Sequence, residues 1–476
     1  MNTQNQNIRH AFGYDATEDT GRRVSPKRVT KHEDKWATQK KRDILAATSR
    51  DLSRNFAIAA WAIRKHLDYV SSFSFQARTP DEGYNVYLEQ FLDDVSAAHR
   101  FDIARRHPLR RAVRLAEACR IRDGDVFWLK IAPQAAAARG RIQAIEADRI
   151  RTPAADTLTS GEWINGVKIN ASGAAQSYAI CDRGTGGRYD LRRVVPARNV
   201  FHHSFFDRYD QIRGVSPIAA GLNAFRDVAE NVEYNLAKTK LAALFGISFQ
   251  REGMTNPFGP GAAVATRDSD GDGVDDSDFS VDLPQGTFAL DLEPGEKAEI
   301  LESKTPSGET VNFLTMMIQA ALKSLDIPYS FFDESFTNFF GSRAGLIQYR
   351  KSCKSKVQDL QDLQNQWARW RFGLAVADGE LDLPAGKGFD FIAWEFVNDG
   401  VEWWNPVQSA QGAAMSIAQG ISNPFLECER SGTKFKDNID QTAAALEYAK
   451  SRGVDLHFAN SSAFVPEIST NDTNDD

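Results

Sequence analysis

The chain has 476 residues, of which 42% are hydrophobic and 25% are charged, and its formal net charge is −7. These values are ordinary for a globular protein of two to four domains, and the net charge gives no overall sign of a nucleic-acid binder. Four scattered cysteines argue against a zinc ribbon or disulfide scaffold, and no run of about 18 apolar residues predicts a membrane span.

The charge is distributed unevenly along the chain. Residues 1–150 contain 27 Lys and Arg against 19 Asp and Glu, a net charge of +8, which leaves −15 for the remainder. Such asymmetry is typical of a protein whose parts face different partners, one of them anionic. A chance distribution over solvated faces is the alternative reading.

The first half of the chain is predicted to contain an N-terminal arm, followed by helices and then by strands. Residues 1–35 are polar and basic, and the polar start "MNTQNQNIRH" lacks a secretion signal, which favours a cytoplasmic protein. Apolar residues at three- and four-residue steps predict a helix at about 36–72 and further helices at 84–106 and 108–120. Short β-branched and aromatic runs predict strands within 123–205.

The second half is organised around three long helices. In "IRGVSPIAAGLNAFRDVAENVEYNLAKTKLAALFG", Ser216 is a predicted N-cap and Pro217 a predicted first helical residue. The helix at 216–245 carries the apolar stripe Ile218, Leu222, Phe225, Ala229, Val232 and Leu236. A strand-and-loop region, a helix at 310–326, an aromatic loop at 329–342, a helix from about 343 to 372 and three short helices follow, and a polar tail ends the chain.

The stretch "RDSDGDGVDDSD" resembles a calcium-binding loop. Asp268, Asp270, Asp272 and Asp276 occupy ligand positions of the EF-hand pattern, and Gly273 occupies its sharp turn. Phe279 stands where a bidentate glutamate is needed, and Pro and Gly crowd both flanks instead of helices. Either the loop holds Ca²⁺, or it is an exposed acidic loop.

No catalytic constellation emerges from the motifs. The chain contains no phosphate-binding G-x-x-x-x-G-K-[ST] and no G-x-S-x-G elbow. His202 and His203, near Asp207, could suggest a metal site, but adjacent strand residues point to opposite faces. We therefore expect a strand end with one buried and one exposed imidazole.

Two basic clusters could touch phosphates, although a solvated or subunit-facing surface is the more ordinary explanation. Neither carries a recognisable nucleic-acid motif. The first comprises Lys40, Lys41, Arg42, Arg50 and Arg54, and the second Arg105, Arg106, Arg110, Arg111, Arg114, Arg120 and Arg122.

The order of elements resembles the portal proteins of tailed bacteriophages, in the lambda-like family. Four segments carry the likeness: "YDATEDTGRR" at 14–23, the segment at 212–247, "FTNFFGSRAGLIQYRK" at 336–351, and "VEWWNPVQSAQGAAMSIAQGISNPFLECERSGTKF" at 401–435. The resemblance implies an α+β portal-type fold with an α/β wing, long stem helices, a β-containing clip and a helical C-terminal crown. The implied division is a basic arm at 1–35, wing helices and strands at 36–213, a stem helix at 214–246, a clip with the Asp-rich loop at 247–308, a second stem helix at 309–327, a tunnel loop at 328–342, a long wing helix at 343–376, C-terminal wing and crown helices at 377–460, and a disordered tail at 461–476.

The same resemblance implies a non-enzymatic ring, usually of twelve subunits, at one vertex of the capsid in the virion, assembled in the host cytoplasm. Double-stranded DNA would pass through it without sequence recognition during packaging and ejection. Its other partners would be the terminase large subunit, the major capsid protein and scaffold, and the head–tail connector. The tunnel-loop residues implied to face DNA are Ser335, Thr337, Asn338, Phe339, Phe340 and Arg343. Arg343 could instead pair with a neighbouring subunit. The alternative function is a calcium-dependent enzyme or binding module organised by Asp268–Asp278.

Overall fold

The computed structural model describes residues 33–133, 138–152, 162–244, 247–251, 296–300, 308–333, 339–398, 406–431 and 433–454. It divides into two units. One comprises the chain up to Leu222 together with the chain from Ala320 onward, and the other is Asn223–Gln319. Among the described residues, no helix combines the length and the apolar character that crossing a bilayer requires.

Helices and strands alternate irregularly along the chain, as in a mixed α and β protein. The helices are α1 Glu33–Trp36, α2 Gln39–Asn55, α3 Ala57–Val70, α4 Glu82–Ser96, α5 Ala98–Phe101, α6 Leu109–Asp123, α7 Leu222–Leu244, α8 Gly308–Leu322, α9 Phe339–Ala377, α10 Pro406–Ala418, α11 Pro424–Arg430 and α12 Phe435–Ser451. The strands are β1 Phe73–Ala77, β2 Asp125–Lys130, β3 Ile142–Glu146, β4 Glu162–Ile164, β5 Val167–Ile169, β6 Ala175–Arg183, β7 Tyr189–Pro196, β8 Val200–Ser204, β9 Ile247–Arg251, β10 Glu296–Ile300 and β11 Trp394–Asn398.

Two antiparallel sheets enclose an apolar core in the first unit. One has the order β3-β2-β8, and the other has the order β4-β5-β6-β7. β2 carries buried residues along almost its whole length, as expected for the central strand of a covered sheet. The buried cluster consists of Phe127, Leu129, Ile145, Ile150, Val167, Tyr178, Ile180 and Val195.

Helix α9 joins the N-terminal and C-terminal parts of this unit. Trp367 is buried and contacts Phe101 edge-on at 5.3 Å between ring centroids, and Phe101 contacts Trp128 of β2 at 5.5 Å. Phe372 packs against Phe75 of β1, which pairs with β11. Sequence-distant segments therefore share one core built on α9.

The predicted helices of the first half are present, but they begin and end at other residues than the sequence predicted. The single helix expected at 36–72 is interrupted at Phe56, whose φ of −117° and ψ of 112° are extended. Asn55 and Phe56 are both weak helix formers, which explains why the break falls there. The helix expected at 84–106 begins earlier, because the Asp81 carboxylate caps it by accepting a hydrogen bond from the Tyr84 N–H, and it ends at Ser96 before the short α5.

Ser216 is the N-cap, as predicted, but of a 3₁₀ turn that its side chain does not cap. Its hydroxyl donates to the carbonyl of Ile121, and its carbonyl accepts from the Ala219 N–H to start a 3₁₀ turn at Pro217–Gly221. Pro217 does occupy the first position of that turn. The α-helix proper begins at Leu222, because the first turn docks the chain onto α6.

The second unit contains all of α7 except Leu222, most of α8, and the paired strands β9 and β10. β9 and β10 pair antiparallel, with Ile247 opposite Ile300. Phe225 and Val228 of α7 are buried, whereas Val232 and Leu236 further along the predicted stripe are 47% and 54% exposed. The last two residues of the six-residue apolar stripe are therefore uncovered within a single chain.

Candidate functional site

The segment before α9 is held in place by aromatic side chains. Phe331 stacks on Tyr69 of α3 at 5.7 Å between ring centroids, and both rings meet Tyr349 of α9 edge-on at 5.4 and 5.1 Å. Phe332 contacts Trp61 of α3 edge-on, with 5.8 Å between the ring centroids. Such contacts are each worth about 0.5–1.5 kcal/mol beyond the area they bury. We call residues 329–333 the anchored segment.

Gly345 allows α9 to approach the anchored segment closely. A Cβ atom at this position would lie 3.1 Å from the Ser330 hydroxyl oxygen and 3.6 Å from Pro328 Cβ. An added methyl group would require the Ser330 hydroxyl to shift by a few tenths of an ångström. The glycine in the sequence "GSRAG" thus serves packing rather than flexibility.

Of the predicted tunnel-loop residues, some lie outside the described part of the chain and the others lie on α9. Ser335, Thr337 and Asn338 lie outside the described residues. Phe339 and Phe340 are the first two residues of α9, so the prediction that they belong to a loop was wrong. The helix begins four residues before its predicted start at Arg343, and Arg343 is exposed on it.

A buried ion network fixes the turn that leads into α7. Asp125 accepts from Arg213 Nε at 2.6 Å and Nη2 at 3.0 Å, from Arg42 at 3.3 Å and from the Gly214 N–H at 3.2 Å. The Arg213 guanidinium also donates to three backbone carbonyls, those of Ile150, Asn165 and Ala147. Burial alone would raise the pKa of the Asp125 carboxyl, but Arg213 and Arg42 hold it well below its usual range.

A second buried network joins α3, α6, β8 and α9. The Glu117 carboxylate accepts from Arg120 at 2.7 and 2.8 Å and contacts His66 Nε2 at 3.1 Å and His203 Nε2 at 3.3 Å. His66 Nδ1 lies 3.1 Å from the Tyr349 hydroxyl. Burial would raise the pKa of Glu117, yet Arg120 and the hydrogen bonds from both imidazoles lower it well below its usual value. Tyr349 thereby connects this network to the anchored segment.

The histidine pair is structural. His202 and His203 point to opposite faces of β8, as predicted, and contact different carboxylates, Asp125 and Glu117. The expectation that one imidazole is exposed was wrong, because the His202 side chain is only 13% exposed and packs on Phe127. Asp207 contributes its backbone N–H to Gln211. Within the described residues, no group of His, Cys, Asp and Glu could hold a metal ion.

The predicted calcium ligands cannot be placed. Asp268, Asp270, Asp272 and Asp276 all lie outside the described residues.

The two basic clusters separate into structural and exposed members. Arg42 and Arg120 are buried in the networks above, Arg50 forms a two-point ion pair with Asp123, and Arg114 pairs with Asp68. The exposed members of the second cluster are Arg105, Arg106, Arg110 and Arg111. Part of each cluster therefore stabilises the fold.

Sequence reasoning missed a run of cations on α9. Between Phe339 and Gln358 the helix has no acidic residue but contains Arg343, Arg350, Lys351, Lys354 and Lys356. The sequence contains the pattern that indicates this face, because cations at steps of seven and four residues lie on one side of a helix.

The comparisons with known proteins decide the family. The family model described as "Phage portal protein, lambda family" matches residues 20–356, most of the chain. The chain belongs to the lambda family of phage portal proteins. The resemblance stated from the sequence motifs is thus confirmed. No curated protein matches this portal-family chain.

Two solved structures resemble this portal-family chain in fold. One comes from the virion of a native gene transfer agent particle, with a TM-score of 0.50, 12% identity, and coverage of 83% of this chain and 99% of that chain. The other comes from the neck of an empty particle of that kind, computed with C6 symmetry, with a TM-score of 0.50, 13% identity, and coverage of 81% and 93%. At these identities the likeness establishes the fold.

Acidification is expected to destabilise this chain from about pH 6.5 downward. Burial lowers the pKa of His66 and of His202 below 6.5 in the folded state, so the unfolded chain binds more protons as the pH falls. Stability is then fully present above pH 6.5 and is lost progressively below it. Below about pH 4, Glu117 and Asp125 add to the loss, because their folded pKa values are depressed.

The check is the thermal melting temperature between pH 8 and pH 4, followed by circular dichroism. A melting temperature that stays constant or rises between pH 7 and pH 5 would contradict this account of the buried imidazoles.

Proposed function

We propose that this chain forms the portal ring at one vertex of a phage-type capsid in the virion, after assembly in the host cytoplasm. Double-stranded DNA passes through the ring during packaging and ejection. The ring docks the terminase large subunit and later the head–tail connector, and it sits against the major capsid protein and scaffold. The role is structural, and the ATP hydrolysis that drives packaging belongs to the terminase. The match of the lambda-family portal model to residues 20–356 carries this proposal.

The uncovered apolar face of α7 supports assembly into a ring. Val232 and Leu236 continue the stripe whose earlier members are buried, and Val311 and Phe313 of α8 are each 47% exposed. Covering apolar side chains gains about 25 cal/mol per Å² of area removed from water, which favours a partner surface. A second copy of the chain is the partner that a closed ring supplies. The neck structure computed with C6 symmetry supports the same arrangement.

DNA passage is assigned to the region around the anchored segment. In this proposal Ser335, Thr337, Asn338, Phe339, Phe340 and Arg343 face the channel. Polar and aromatic groups of this kind can contact the DNA backbone without reading its bases, which leaves the duplex free to slide. The ring needs no metal ion, and the Asp268–Asp276 loop is a local feature of the clip region at 247–308.

Leu236→Lys is expected to prevent or strongly weaken ring formation, because it places a charge on the face that a neighbouring copy must cover. The measurement is electron microscopy of the purified chain, with class averages of the particles. The unmodified protein should give closed rings with a central opening. The control, Lys238→Gln, removes an exposed charge from the opposite face of α7 and should leave the rings intact. Single chains from the unmodified protein would refute the proposed function.

A further inference from the structure

One face of α9 near its start carries four basic residues around the exposed Ile347. Arg343, Arg350 and Lys354 fall within about 40° of one another around the helix, and Lys351 lies about 60° further round. All four side chains are exposed. They extend from Arg343 to Lys354, eleven steps along the helix, which is roughly 16 Å at 1.5 Å per step. We call these four residues the basic face.

Within the described parts of the chain, the basic face lacks carboxylate partners. Lys356, which lies off this face, pairs with Asp326 at 2.9 Å, so the helix does form an ion pair where it packs on a neighbouring segment. No acidic residue occurs between Phe339 and Gln358 to offset the charge locally. Four like charges within three turns repel one another, which costs stability in the free chain.

Helix α3 carries a further cation, Lys65, next to aromatic side chains that pack on α9. Lys65 Nζ lies 5.8 Å from the centre of the Tyr69 ring and 5.9 Å from that of Phe331. Arg350 is close enough for its charge to act on the Tyr69 hydroxyl, where it opposes the rise in pKa that burial causes. Tyr69 and Phe331 form an aromatic shelf that Lys65 contacts and that packs on Tyr349, the residue before Arg350.

We infer that the basic face, together with Lys65, binds the phosphate backbone of double-stranded DNA as it passes the anchored segment. The inference rests on the proposed function and deepens it by naming the phosphate-binding side chains. A row of like charges without intervening acids fits a polymer whose negative charges repeat regularly along its length. Guanidinium and ammonium groups bind phosphate oxygens through charge-assisted hydrogen bonds and read no sequence. The packing of the aromatic shelf on Tyr349 holds this part of α9 against α3 and the anchored segment.

The test measures how an assembled ring of the full chain binds a fluorescent 30-base-pair duplex at several salt concentrations. We expect Arg350→Gln/Lys354→Gln to weaken binding roughly tenfold near 0.1 M salt and to reduce the slope of log affinity against log salt by about 0.9 for each phosphate that the variant no longer neutralises. Arg350→Lys/Lys354→Arg keeps both charges and should bind almost as the unmodified ring does. The control, Arg188→Gln/Arg198→Gln, removes two exposed charges elsewhere in the same unit and should leave affinity and slope unchanged.

Each outcome decides the inference. Reduced affinity and slope with an intact ring, seen only in the first variant, supports it. An equal reduction in the control would show a response to net charge alone and would overturn it. Failure of the first variant to form a ring, while the charge-preserving variant assembles, would assign the basic face to a subunit interface and overturn it as well. If the unmodified ring binds duplex but the first variant binds it equally well, the inference fails while the proposed function stands. A chain that forms no ring at all refutes the proposed function itself.

Discussion

Asp125→Asn is expected to lower the free energy of unfolding of the first unit by about 3–5 kcal/mol, because it leaves two buried guanidinium groups without their counter-charge. Arg213 is 1% exposed and Arg42 is 8% exposed, so water cannot replace the missing carboxylate. The asparagine has nearly the same shape, which limits the change to charge and hydrogen bonding. Chemical denaturation followed by far-ultraviolet circular dichroism provides the measurement.

The matched control is Asp182→Asn. Asp182 also pairs with two arginines, Arg149 and Arg192, but its side chain is 47% exposed. Exposed ion pairs contribute about 0–1 kcal/mol, so this variant should unfold almost as the unmodified protein does. Equal effects of the two substitutions would contradict the claim that the Asp125 network holds the turn before α7.

Gly214→Ala is expected to destabilise the first unit by roughly 3 kcal/mol, because the added methyl group has no room. A Cβ atom at Gly214 would lie 2.0 Å from the carbonyl oxygen of Gly124 and 3.0 Å from the Phe205 nitrogen. Both obstacles are backbone atoms, so neither can rotate away as a flexible side chain would. The two glycines let the turn before α7 lie directly against the end of α6.

Gly388→Ala is the control for the glycine variant. Its φ of −93° suits any residue, and an added Cβ would meet nothing within 4 Å. This variant should change the free energy of unfolding little, or raise it slightly by restricting the unfolded chain. A normal denaturation midpoint for Gly214→Ala would mean that the turn can shift at little cost and that the close approach is not required.

The sequence predicted those parts of the fold that depend on local periodicity. The spacing of Ile218, Leu222 and Phe225 indicated a helix with one apolar face, and the structure buries all three side chains. The break at Phe56 and the first turn before Leu222 were not predictable in this way. The first turn depends on a tertiary contact, the hydrogen bond from Ser216 to Ile121, which overrides local propensity.

The buried charges were beyond sequence reasoning. Arg120 and Arg110 look alike in a row of arginines, yet Arg120 is buried against Glu117 and Arg110 is exposed. The burial of Arg120 depends on which distant segments the fold packs around it, among them α9, whose Asp359 it also contacts at 3.1 Å. The basic face of α9 is different. Its spacing is visible in the sequence, but its importance emerges only when Lys356 is seen to pair with Asp326 and the other cations are seen to face solvent.

The particle mass of the purified chain, measured by light scattering with and without a metal chelator, tests the account most directly. Twelve copies of the 52.9-kDa chain form a ring of about 630 kDa. We expect a particle of roughly ten to thirteen subunits whose mass is the same in chelator, which would make the Asp268–Asp276 loop secondary. A single chain that unfolds when the chelator is added would contradict the portal account and place that loop at the centre of the protein's function.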